Sequence, residues 1–404
     1  MTVTAFVAGW VVACAAVLAI AYRRVIRAAW NEPVLRAPVL ILESDDWGYG
    51  PVEQAEALHR VGDLLGGYRD RTGRRPVMTL GVVLAGPDTA TMRSEGGERY
   101  CRLTLTDDPL VPVRDAMLGG ADRGVFALQL HGREHFWPEC LMRAARDRPG
   151  VRAWLGAAGA PRTEDLPPEL QSRWMDAVEL PSRPLPVDAV RAEAAAEVDA
   201  FAEVFGKVPE VAVPPTFAWT RDVEVAWARA GVRVIVTPGR RGVSRGTDGC
   251  FVYEDTDIWN GRRTEDGCTY LVRDVYFEPA LGHAHGRAAE DVVAKWRMGR
   301  PALVEVHRMN FLPAGPTADR AIDELGQLIE SVRALLPDVR FMSPVELAEH
   351  YAKSAGLVET RPARRVHYLL RRVAVVSRLR KLAWITGAII PASIAYAITR
   401  PADR

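Results

Sequence analysis

The sequence predicts an α/β fold, a deformed (β/α)7-type barrel carried between two apolar ends, and three observations point to it. Short runs rich in β-branched residues alternate with stretches of helical periodicity between residues 38 and 351. Charged and imidazole side chains follow several of those runs directly, and an uncharged apolar segment lies near each terminus. With 48% hydrophobic and 25% charged residues the chain has enough apolar material for a large core, and a net charge of +1 gives no ground for a nucleic-acid partner held by overall charge.

Pro38–Glu43 (PVLILE), Val77–Ala85, Val125–Leu130, Val211–Val213, Val232–Val236, Tyr270–Phe277 and Ala302–Val306 read as buried strands. Between them Val187, Val190, Val198, Phe201 and Phe205, and later Ile322, Leu325, Ile329, Val332 and Leu336, recur at spacings that gather them on one helix face, with Gly206 and Pro337 as stops. Strand followed by helix, repeated, implies parallel pairing with the helices outside. Gly150–Arg183 and Gly239–Glu254, rich in Gly, Pro and charge, are expected as insertions over the barrel mouth. The expected division is an anchor at 1–27, the barrel at 28–360 and a basic, then apolar, membrane segment at 361–404.

Thr4–Tyr22 is uncharged and, at ~1.5 Å per residue, long enough to cross a hydrocarbon core. Its charges, Arg23, Arg24 and Arg27, follow the apolar run, where a cleavable signal peptide would carry them in front. Leu382–Thr399 is a second such run, preceded by a basic stretch that includes Arg371, Arg372, Arg378, Arg380 and Lys381. Both basic flanks lie on the barrel side, which predicts a membrane protein with its barrel in the cytoplasm. Pro391 interrupts the second run, leaving a kinked span, a re-entrant hairpin or an interfacial helix open. Arginines mixed with apolar residues over Val366–Val376 make anionic membrane lipid an expected partner. Five scattered cysteines without a CxxC pair are expected to be isolated thiols.

The chemistry is expected at the strand ends. The first strand runs into Ser44-Asp45-Asp46-Trp47-Gly48, the third into His131-Gly132-Arg133-Glu134-His135, and the seventh into His307-Arg308-Met309-Asn310. Adjacent carboxylates repel unless a proton or cation intervenes. The i, i+4 histidines would share one side of a helical turn, and with one Asp they make a two-histidine, one-carboxylate site that leaves room for water and substrate. His283 and His285 are weaker candidates for further ligands.

These motifs resemble the polysaccharide deacetylases, also called NodB-like or family 4 carbohydrate esterases, over about Pro38–Tyr351. The resemblance implies Asp45 as catalytic base, Asp46, His131 and His135 as ligands of one divalent metal, and His307 as general acid. Zinc is expected, with cobalt, nickel, manganese or iron also suited to the donors. Trp47, Arg133, Glu134, Arg308 and Asn310 are candidates for substrate binding or support. Phe341–Leu347 resembles the last strand and helix start of these barrels. The family's Arg-x-Pro-Tyr element falls on Val213-Pro214-Pro215-Thr216, without its arginine or aromatic, and Arg308 or Arg133 is expected to stand in for the arginine.

The implied activity is removal of an N-acyl group, acetyl above all, from an amino sugar in a glycan or lipid-linked glycan. The alternative from another class is a catalytically silent, membrane-tethered module that binds or organises glycans, which the missing arginine favours. A different metal hydrolase on a related barrel is a third reading.

Overall fold

Strands that are apolar on both faces must be covered on both, and the chain does this by curling its sheet. In the computed structural model, which describes residues 3–312, 315–354 and 356–400, the runs form β1 (Val39–Gly48), β2 (Met78–Val83), β3 (Phe126–Leu130), β4 (Val211–Ala212), β5 (Val234–Thr237), β6 (Thr269–Val272), β7 (Val275–Tyr276), β8 (Ala302–His307) and β9 (Arg340–Phe341). Their pairing is parallel throughout, in the order β6-β5-β4-β3-β2-β1-β8-β7, with β9 beside the first residues of β1. The two ends of this path, β6 and β7, are consecutive in sequence, so Arg273 and Asp274 bridge the seam of a deformed, incompletely closed barrel. The single strand expected over Tyr270–Phe277 is therefore two.

Side chains alternate across the sheet with a period of two. Leu40 and Leu42 face the surrounding helices. Val39 and Ile41 face inward, where they join Val213, Val236, Leu271 and Leu303 in an apolar layer that Leu347 and Tyr351 of helix Pro344–Lys353 plug from below. Continuing the alternation upward brings Glu43, Asp45, Arg273 and Glu305 together above that layer. The β1–β8 register pairs Asp45 with His307 at the same level.

The outer helices form as their spacing requires. Helix Val187–Phe205 buries Val190, Val198, Phe201 and Phe205 and ends at Gly206 in the left-handed region, φ 70°, while Val187 in its first turn stays exposed. Helix Pro316–Leu335 buries Leu325, Ile329 and Val332. Ser343 and Glu346 exchange reciprocal bonds at the start of helix Pro344–Lys353.

Helix Val3–Ala21 buries no residue and, with a mean hydropathy of 2.4, is long and apolar enough to cross a membrane. The C-terminal run is not straight. The chain bends by 109° between helices Ser377–Ile385 and Ile389–Ile398. The break falls at Gly387, φ 78°, while Pro391 sits in the first turn of the second helix, where a missing N–H costs little. Arms of this length reach ~15 Å, half of a ~30 Å hydrocarbon core. Both terminal segments are fastened to the strand-start end of the barrel. The buried Arg372 donates to the carbonyls of Ala29, Glu32, Pro33, Met298 and Gly299, and the Glu359 N–H donates to the Val34 carbonyl. All five cysteines are free.

Candidate metal centre

Neighbouring residues of a regular strand point to opposite faces, so an Asp-Asp pair would not normally serve one pocket. Here β1 bulges. Its register with β2 shifts between Ser44 and Trp47, and Asp46 takes φ 71°. A left-handed aspartate costs ~1–3 kcal/mol of strain, and the result is that Asp45 and Asp46 line the same cavity of about 340 Å³. Glycines make the room. A Cβ at Gly48 would lie 2.4 Å from the Val83 carbonyl oxygen, and one at Gly81 would lie 2.3 Å from Asp45 Oδ1.

The histidine pair arrives by a different route from the expected helical turn. Residues 131–137 form a loop, and the helix begins only at Pro138. Gly132, at φ 95°, turns the chain out of β3 in a conformation that cannot continue a right-handed helix, and a Cβ there would meet the Glu134 carbonyl at 2.8 Å. The loop nevertheless sets the two rings 5.1 Å apart, with Nε2 of His131 and His135 at 3.4 and 3.3 Å from Asp46 Oδ1.

The ligand atoms of Asp46, His131 and His135 all lie within 4.8 Å of one another and are buried. His131 Nδ1 is 2.8 Å from the Val213 carbonyl and donates to it, which leaves Nε2 to face Asp46. Burial pushes His135 down to about 4, whereas at His131 burial is outweighed by the charges of Asp45 and Asp46, which raise it. Asp46 Oδ1, although buried, has no hydrogen-bond partner among the described residues. Three ligand atoms converging around an unpartnered buried carboxylate oxygen fit a cation, which would take the place of the proton that the carboxylates favour on His131. The set of one carboxylate oxygen and two imidazole nitrogens is that of an open divalent site, which could hold one metal ion.

Beside this group lies a feature that the sequence reading missed. Arg273 is fully buried in the barrel seam, and its Nη2 donates to Asp45 Oδ2 at 2.5 Å. It also approaches Glu43 and Glu305 at 3.4 Å each. Burial alone would raise Asp45, but the guanidinium holds it below the usual carboxylate range. Burial outweighs the same guanidinium at Glu43, which stands at about 7, and also raises Glu305. Asp45 Oδ1 is left without a partner in the cavity wall.

Arg273, and neither Arg308 nor Arg133, is therefore the arginine that orients Asp45. Arg308 grips Glu164 through two bonds of 2.9 and 2.8 Å and bonds Tyr49 and Gln54, while Arg133 is partly exposed. The signal available in sequence was a charged Arg-Asp pair ending an apolar strand. Phe217, one position after Thr216, lines the cavity and lies 4.9 Å from the Arg273 guanidinium.

On the neighbouring strand β8, level with Asp45, His307 Nδ1 bonds Glu278 Oε1 at 2.5 Å, and Asn310 holds Glu278 from the other side. Burial disfavours the imidazolium, but the bond to Glu278 and the charges of Asp46 and Asp45 outweigh it and raise His307 to about 10. Glu164 reaches the cavity from the Gly150–Arg183 insertion.

Two of the remaining candidates lie behind the wall. Trp47 is completely buried, bonds Ser44 and stacks on Phe311. Glu134 is bonded by Arg102 and Arg173 in the core. His283 lines the cavity outside the three-ligand group, and His285 bonds Glu324 at a helix start.

Neither a protein-family model nor a curated protein matches the chain. Among solved structures it is similar to a family 4 carbohydrate esterase from Streptomyces lividans in complex with acetate (12% identity, TM-score 0.34, 77% of this chain and 99% of that one). It is also similar to a peptidoglycan deacetylase from Bacillus subtilis (11%, 0.37, 80% and 94%). A 4-alpha-glucanotransferase from Thermococcus litoralis is a third (9%, 0.41, 88% and 48%). Polysaccharide deacetylases recur among these neighbours, all at low identity.

Proposed function

We propose that the chain is a metal-dependent hydrolase that removes an N-acyl group, acetyl above all, from an amino sugar of a glycan or lipid-linked glycan. The observation that carries this reading is a single cavity that gathers a three-ligand group, an arginine-held carboxylate and a carboxylate-held imidazole. Asp46, His131 and His135 would hold one divalent cation, zinc or a metal of similar preference, which when bound polarises a carbonyl and acidifies water. Asp45, ionised and fixed through Oδ2, offers its free Oδ1 to the proton of an attacking water. His307 has Nδ1 occupied by Glu278, so its Nε2 serves the cavity and, as imidazolium, donates a proton to the departing amine. Phe217, Tyr276 and Leu281 give the sugar ring apolar surface to lie on.

The silent-module alternative drew its support from a missing arginine, and Arg273 weakens that support. The assignment of base and acid is tested by acetate release from N-acetylated chitooligosaccharides. Asp45→Asn and His307→Gln should each lose about 10²–10⁴-fold in kcat while the fold is kept; activity retained in both would overturn it.

The apolar helix Val3–Ala21 is read as a membrane anchor with the barrel on the cytoplasmic side, since Arg23, Arg24 and Arg27 follow it directly. A phosphatase fused after residue 360 and active in cells would contradict that orientation. The catalytic cavity opens at the strand ends and the apolar helices attach at the strand starts, so a strand of six residues, ~20 Å, separates them. This favours a substrate whose amino sugar stands clear of the bilayer, on a polymer or an extended lipid-linked glycan.

A further inference from the structure

A second cavity, of about 540 Å³, lies at the base of the barrel, between the end of helix His285–Arg297 and the three C-terminal helices. Its walls are almost wholly apolar, with Leu370, Val373, Leu379, Ala383 and Ile389 among them, and its volume is in the range of small-molecule sites. Three arginines line it and no acidic residue does. Arg371 is occupied by the Tyr396 hydroxyl and the Arg297 carbonyl. Arg297 and Arg380 are exposed, and neither side chain makes an ion pair or hydrogen bond with another described residue.

The groove's depth identifies its occupant. Val11, midway along helix Val3–Ala21, packs against Gly387, where a Cβ would lie 3.2 Å from Val11 Cγ2. Ten residues separate Val11 from the barrel-side end of that helix, ~15 Å, which is the middle of a hydrocarbon core. Gly387 is the break between Ser377–Ile385 and Ile389–Ile398, so the first arm runs from Arg378, Arg380 and Lys381 at the surface down to mid-bilayer and the second returns toward Arg400. The outward sides are apolar, with Trp384 and Ile385 each 72% exposed and Ile398 78% exposed. The bend and these depths fit a re-entrant hairpin, which would set the groove it encloses within the leaflet next to the barrel.

We propose that this groove is a binding site for one anionic phospholipid of that leaflet, its acyl chain against Leu370, Leu379 and Ile389 and its phosphate on Arg297 and Arg380. Guanidinium groups suit this headgroup because they bond phosphate oxygens in pairs. The inference rests on the reading of Val3–Ala21 as a membrane helix and is independent of the deacetylase reading.

The test uses the full chain purified in non-ionic detergent, titrated with phosphatidylglycerol or phosphatidylcholine and read by native mass spectrometry. One phosphatidylglycerol should bind with a preference of about tenfold or more over phosphatidylcholine. Arg297→Gln with Arg380→Gln should remove that preference, and Ala392→Trp, which fills the groove, should weaken both lipids. Soluble glycerol phosphate should not compete, which separates a lipid site from a free-phosphate site. Equal binding of the two lipids, or a preference untouched by either variant, would overturn the proposal. Release of the native chain from membranes by alkaline carbonate would overturn the anchor reading and the lipid site with it, whatever the glycan activity.

Discussion

Replacing Arg273 by methionine keeps an unbranched side chain in the barrel seam but removes the guanidinium shared by Glu43, Asp45 and Glu305. All four side chains are buried, and deleting one member of a buried ion pair costs about 3–5 kcal/mol because the partner charge is left uncompensated. At roughly 2–4 °C per kcal/mol, that is a fall in Tm on the order of 10 °C. The loss has a sign in pH. Without the arginine the three buried carboxyls titrate above their unfolded values of ~4. A group raised on folding gives stability that is complete below its unfolded value and is lost as the pH rises through its folded one. Glu43, at about 7 even with the arginine present, leads this trend. The Tm difference between wild type and Arg273→Met should therefore be smallest near pH 5 and largest above pH 8, as scanning calorimetry across that range would show. Acetate release should lose its acid side as well, since Asp45 then needs a higher pH to ionise. A Tm unchanged by the substitution, or a difference that shrinks as pH rises, would refute the role given to Arg273.

Three further outcomes follow from the same geometry. Glu278→Gln removes the carboxylate that sustains the His307 imidazolium, so the alkaline limit of kcat/KM should move down from near 10, where the raised group loses its proton; an unmoved limit would exclude His307 as the acid. Gly132→Ala places a Cβ 2.8 Å from the Glu134 carbonyl at φ 95°, and should cost about 1–3 kcal/mol in thermal unfolding while loosening the histidine loop. Trp47→Ala should destabilise by about 3–5 kcal/mol and leave the KM of the remaining folded enzyme near wild type, because Trp47 packs on Phe311 behind the cavity; a KM raised with unchanged stability would return it to the substrate site.

Residues that sit at the ends of continuous apolar runs were legible in sequence, because a buried strand of five or six residues leaves little doubt about where it stops. Asp45, Asp46, His131 and His307 belong to this group, and the parallel register brings Asp45 and His307 level. Contacts across the barrel interior were not legible. Arg273 and Asp45 are 228 positions apart, and the arginine could be assigned to the base only once the seam between β6 and β7 was known. The histidine spacing suggested a helical turn because i, i+4 favours one, yet Gly132, two residues past the strand end, decided for a left-handed turn. The C-terminal run misled in a similar way. Proline draws attention as a breaker, but in a first turn it is tolerated, and Gly387 makes the bend.

The claim on which the account rests is that Asp46, His131 and His135 bind one cation together. Metal content per chain, measured by inductively coupled plasma mass spectrometry after zinc loading and desalting, tests it most directly. The account predicts one equivalent in the wild type and in Asp45→Asn, and a loss of about 10–100-fold in affinity or more for Asp46→Ala and His131→Ala. Full occupancy in Asp46→Ala, or none in a correctly folded wild type, would contradict it.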